Sequence, residues 1–129
     1  MKQLTSQLAM TKAEYFKFLS KFRSLQLSTI GENGRPESSY APFVVDPKNH
    51  FYIYVSSLAR HTGNLLNDGR AGIMFIESEE QCEEIYVRTR LIFLCSTSLI
   101  QRWNWDERVP QFVAKFGDII GTLVSFQDF

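Results

Sequence analysis

The sequence predicts a mainly β domain: an antiparallel barrel of short strands with a helix before it and helices after it. Three observations predict this class. Apolar runs with two-residue alternation recur between residues 25 and 96. Turn signals separate them, above all Asn33-Gly34 and Asp46-Pro47-Lys48-Asn49. The 3.6-residue period is confined to the two ends and one short central stretch, with little of the strand–helix–strand rhythm of a parallel sheet.

The elements follow in order. Thr11-Lys12-Ala13-Glu14 has the capping-box pattern, and Tyr15, Phe18, Leu19 and Phe22 recur at helical spacing, so a helix is expected over about 12–23. Residues 25–30 read as a strand, and Asn33-Gly34 as the turn of a hairpin. A second strand is expected over about 36–45, where Pro42 points to an edge or a bulge. The third strand is expected over about 50–56. A short helix starting at Ser57 follows, with Gly69 able to end it. The fourth strand is expected over 71–77, then an acidic loop, then a fifth strand over 85–96. In that strand Val87, Thr89, Leu91, Phe93 and Cys95 share one face. Tyr86, Arg88, Arg90 and Ile92 share the other, where the two arginines form a cationic ridge. Helical spacing returns at Trp103, Trp105, Val109, Phe112, Val113 and Phe116, with Pro110 in a first turn.

Composition narrows the function classes. The 129 residues form one domain, 1–129, and 44% are apolar, which is enough for a packed core. Eleven Phe, five Tyr and two Trp are a large aromatic share for a core or an interface. Fourteen basic residues balance fourteen acidic ones, which argues against a nucleic-acid partner held by a broad basic face. No apolar run reaches membrane-spanning length and no signal core opens the chain, so no membrane insertion and a cytoplasmic location are expected. Cys82 and Cys95 have no CxxC spacing and read as free thiols. No metal-ligand spacing, phosphate loop or dinucleotide fingerprint occurs, and no nucleophile triad is visible around Ser38, Ser39, Ser56 or Ser57. The run Glu79, Glu80, Glu83 and Glu84 reads as a solvated loop.

The most informative stretch is Ser57-Leu58-Ala59-Arg60-His61-Thr62-Gly63-Asn64-Leu65. A strand ends, a helix begins, and two potential cations lie in its first turn. The N–H groups at a helix start attract anions, whereas cations there are unfavourable unless an anion joins them. A phosphate or carboxylate ligand would supply that anion. A surface turn with two solvated cations is the plain alternative.

Six stretches in order carry a resemblance. They are Leu25-Gln26-Leu27-Ser28-Thr29 with Gly34-Arg35-Pro36, Ser39-Tyr40-Ala41-Pro42-Phe43, and Ser57-Leu58-Ala59-Arg60-His61 with Asn64-Leu65. Then come Arg88-Thr89-Arg90-Leu91, Phe116-Gly117-Asp118-Ile119-Ile120, and Gln127-Asp128-Phe129. Over about residues 22–129 the chain resembles the pyridoxamine 5′-phosphate oxidase-like, FMN-binding split-barrel superfamily, and within it the haem-utilisation branch. The resemblance implies a six-stranded split barrel that works as a homodimer, with a small-molecule cofactor at the subunit interface. It implies that Ser57, Arg60, His61, Asn64 and either or both of Arg88 and Arg90 bind the cofactor, haem or FMN. It also implies that Asp128 orients, from outside the coordination shell, a histidine that ligates haem iron. It identifies no catalytic residue and no further metal site.

Set against that pattern, the last strands and the C-terminal histidine fall beyond Phe129. A natural short form, a frameshifted gene and a cloned fragment all fit. His50 lies in a turn, and His61 aligns with a family histidine that is not the iron ligand, so the 129-residue chain is expected to bind haem poorly. Three functions follow: a haem-utilisation protein that binds or degrades haem, an FMN-binding oxidoreductase, or a dimeric scaffold without a cofactor.

Overall fold

The computed structural model of the protein describes residues 11–101 and 109–117. Helix α1 spans Lys12–Leu19, strand β1 Ser24–Ile30, β2 Pro36–Val45 and β3 Phe51–Ile53. Helix α2 spans Arg60–Asn67, β4 Arg70–Ile76, β5 Arg90–Ser96 and helix α3 Val109–Phe116. The strands form one antiparallel sheet in the order β3-β2-β1-β4-β5, curled around an aromatic core. Among the described residues the sheet has five strands, where the resemblance implies six.

Local chemistry sets most boundaries. Thr11 accepts from the Glu14 N–H at 3.1 Å and Glu14 accepts from the Thr11 N–H at 3.1 Å, so the capping box forms. Helix α1 ends early, at Leu19, where Ser20 Oγ donates to the Lys17 carbonyl at 2.6 Å. In the β1–β2 hairpin Asn33 (φ 59°) and Gly34 (φ 73°) are both left-handed, the pairing a tight hairpin turn demands. Asp46 Oδ1 accepts from the N–H groups of Lys48 and His50, each at 2.9 Å, and folds the β2–β3 turn.

Pro42 is neither in an outer strand nor at an interruption of the β1 pairing. It faces Ser24 of β1, while β3 pairs only with Phe43–Val45, so β2 has no strand neighbour on its other side at Pro42. The missing N–H of Pro42 is tolerated there. Just beyond, Phe43 and Val44 are both buried and strict alternation stops.

Inner-face residues of every strand build the core. Leu25, Leu27, Ala41, Phe43, Ala71, Ile73 and Phe75 are buried together with Phe18 and Leu19 of α1. Phe75 holds it together, with ring centroids 5.0 Å from Phe43 and 5.6 Å from Phe22 and Phe51. A second cluster joins Val44 to Phe112 of α3. Lys115 pins that helix. Its Nζ lies 3.5 Å from the Phe43 ring centroid and donates to the Phe43 carbonyl at 2.7 Å. Burial, with the nearby Arg23 charge, pulls its pKa down to about 8. Pro110 sits in the first turn of α3 as expected. Trp103, Trp105 and Asp128 lie outside the described residues.

Strand β5 starts at Arg90, later than its sequence pattern. Residues Ile85–Val87 form a 3₁₀ turn with the Val87 N–H on the Glu84 carbonyl at 2.9 Å. Within β5 the expected faces hold. Leu91, Phe93 and Cys95 pack on the core, while Ile92 and Leu94 point outward. Both cysteines are free, and burial raises the pKa of the Cys95 thiol.

Candidate functional site

Helix α2 lies across one end of the curled sheet, where Leu65 packs on the core and polar side chains make further contacts. It begins at Arg60 with Ala59 as N-cap and no capping side chain, so Ser57 is not the cap. Ser56 organises the approach instead: its Oγ accepts from the Leu58 N–H at 3.1 Å. Ser57 itself is exposed.

Three of the expected site residues come together on this helix. His61 Nδ1 meets Ser39 Oγ of β2 at 2.9 Å. Asn64 Nδ2 donates to Thr29 Oγ1 of β1 at 3.0 Å and to Glu37 Oε2 of β2 at 2.6 Å. Arg60 Nη2 donates to the other carboxylate oxygen of Glu37. The pair is unequal: the Arg60 side chain is 82% exposed and that of Glu37 only 20%. Partial burial without a charged partner lowers the His61 pKa, so the ring is neutral at pH 7.

The two expected strand arginines are elsewhere. Thr29 is level with Ala71 and Cys95, whereas Arg90 is level with Ile76. Five residues of strand, about 17 Å, separate the two levels. The cationic ridge does not form either. Arg88 precedes β5 and folds back, donating from Nε (3.0 Å) and Nη2 (2.5 Å) to the Glu77 carbonyl. Arg90 Nη1 lies 3.3 Å from the Arg88 carbonyl. Within one chain, Arg88 and Arg90 are therefore not part of the α2 cluster.

A cavity of about 1220 Å³ opens inside the curl between β3 and β5, lined by apolar residues such as Leu27, Ile53, Ile73 and Phe112. Ser57 lines it, but Arg60, His61 and Asn64 do not. Among the described residues no group of three His, Cys, Asp or Glu side chains could hold a metal ion.

Glu37 is not among the site residues the sequence suggests, and Ser39 enters there only in a resemblance stretch and as a serine without a triad. They share the inward face of β2 with Ala41 and Phe43, and polar residues at core-facing positions mark a place where the core gives way to a site. That signal was available from alternation alone.

The comparisons with known proteins agree with this architecture. The pyridoxamine 5′-phosphate oxidase family pattern matches residues 11–122. The chain is 36% identical over 118 residues to the haem oxygenase HutZ of Vibrio cholerae serotype O1. That match takes in 90% of this chain and 66% of HutZ, so the chain spans just under two thirds of that relative. The crystal structure of HutZ, described as the haem storage protein of Vibrio cholerae, superposes with a TM-score of 0.85 at 34% identity. It covers 94% of this chain and 86% of that one. ChuZ of Campylobacter jejuni superposes with a TM-score of 0.74 at 27% identity, over 97% of this chain and 54% of its own. The α2 helix across a split, curled antiparallel sheet thus comes with a family match over most of the sequence, and the chain belongs to the pyridoxamine 5′-phosphate oxidase family.

Proposed function

We propose that this chain is a haem-utilisation protein that holds haem at a homodimer interface, with Arg60 at the anion end of the site. The observation that carries the reading is the 36% identity with a haem oxygenase over 90% of the chain. A haem propionate is a carboxylate, and the planar guanidinium fork of arginine suits it. His61 and Asn64 set the position of α2, and Ser57 lies at the entrance to the helix. The haem would supply the redox iron, and its turnover would release that iron for use.

Two features support an interface site. Arg88 and Arg90 lie too far along the sheet to meet α2 of their own chain, so a second copy would have to bring them there. The outer face of the sheet also carries exposed apolar side chains: Tyr40, 68% exposed, pairs through Gln26 and Met74 with Ile92, 60% exposed, and Leu94 beside them is 92% exposed. A second copy would cover them. The two free cysteines support work in a reducing compartment, the cytoplasm. No helix among the described residues is long and apolar enough to cross a membrane.

The test is a haem titration of the parent and of Arg60→Ala, followed by absorption. Arg60 is exposed, so the variant is expected to keep its melting temperature. Its haem affinity is expected to fall at least fivefold. Equal affinities in two folded proteins would remove Arg60 from the site.

A further inference from the structure

We propose that Glu37 is an internal counter-anion of the α2 site, one that admits a carboxylate and turns away a phosphate. The inference rests on the assignment of Arg60 to the anion end, and it decides between the two cofactors, haem and FMN.

The two side chains best suited to hold a ligand anion already hold one that belongs to the chain. Arg60 donates to one oxygen of the Glu37 carboxylate and Asn64 to the other. The seat of that carboxylate is built. Gly31 is buried beneath it, and a Cβ on Gly31 would lie 2.8 Å from both Cδ and Oε1 of Glu37. The backbone at Gly31 has φ −86°, which any residue adopts, so a Cβ there would act by pushing the Glu37 carboxylate aside. Glu37 also faces inward on β2, held between the hairpin and α2, and cannot swing into solvent without giving up both contacts.

The consequence is a charge rule. The described contact of the guanidinium uses Nη2 alone, and arginine has five N–H donors. The outer edge of Arg60 faces solvent and can take a second carboxylate, giving two single charges about one cation. A phosphate monoester carries about −1.5 to −2 at pH 7. Next to Glu37 it would put close to three negative charges on one guanidinium, and Asn64 is committed as well. As it stands the cluster does not fit a flavin phosphate.

The experiment measures FMN, riboflavin and haem binding to the parent, Glu37→Gln, Gly31→Ala and Arg60→Ala. Flavin fluorescence and haem absorption are the readouts, and a melting curve checks each fold. Glu37→Gln removes the charge. Gly31→Ala displaces the carboxylate by a different route and decides the matter if Glu37→Gln does not fold. Both are expected to bind FMN at least tenfold more tightly than the parent. Riboflavin, which lacks the phosphate, is expected to be unaffected, and haem affinity to change less than threefold. If FMN binding is unchanged in the folded variants while Arg60→Ala weakens haem, the role of Glu37 is overturned and the anion end stands. If Arg60→Ala changes neither ligand, the anion end itself falls, and this inference with it.

Discussion

The side-chain amide of Asn64 reaches the hydroxyl of Thr29 at 3.0 Å, across the gap between α2 and the sheet. Thr29 is 3% exposed and is the one buried polar residue among the described residues. A buried hydroxyl without a partner costs far more than the bond is worth in water. Asn64 therefore couples the position of α2 to the stability of the core.

Asn64→Ala is expected to lower the unfolding free energy by about 1–3 kcal/mol, because it strands Thr29 and half of Glu37. Thr29→Val is expected to cost less, since Asn64 keeps Glu37. Urea unfolding of the two single variants and the double variant checks this. The double is expected to cost less than the sum of the singles.

The His61 imidazole gives the protein a pH dependence of known sign. Burial lowers its pKa in the fold below the ordinary 6.5, so as pH falls the unfolded chain takes up the proton first. Stability is whole above pH 6.5, declines as pH drops through 6.5 toward the lower folded value, and then levels off. Asp68, held down to about 2 by Arg70, titrates below this window. Urea unfolding between pH 5 and 7, below the titration of Lys115 at about 8, is expected to show the slope in the parent and not in His61→Gln.

The outer sheet face offers a test of assembly. Leu94 is 92% exposed and stands next to Gly72 in the pairing. Leu94→Asp is expected to turn a dimer into a monomer in sedimentation velocity at micromolar concentration, with the circular dichroism unchanged. A parent that sediments as a monomer would exclude the interface site.

Alternation and turn chemistry made most of the sheet legible. Asn33-Gly34 and the Asp46 turn place two reversals, and β2 occupies its expected 36–45. The errors have two causes, a neighbouring side chain that wins a local turn and distant partners that local patterns do not contain. Ser57 has the chemistry of a cap, yet Ser56 organises the turn and the helix waits until Arg60. Val87 and Thr89 alternate as strand residues, yet Glu77 captures Arg88 and the Thr89 N–H and delays β5. Arg60 and His61 suggest a ligand anion in the sequence, but in the fold Arg60 meets Glu37, 23 residues earlier, and His61 meets the Ser39 hydroxyl. The coming together of Arg60, His61 and Asn64 was legible because one helix carries all three. The separation of Arg88 and Arg90 from them was not, because only the strand register reveals it.

The central claim, that this chain handles haem, is tested most directly by titrating the 129-residue protein with haem and, in parallel, with FMN. The account predicts a broad, weak Soret band that saturates, persists in His61→Ala, and reports tighter binding than FMN achieves. A protein that purifies with bound flavin, or that binds FMN more tightly than haem, would contradict it.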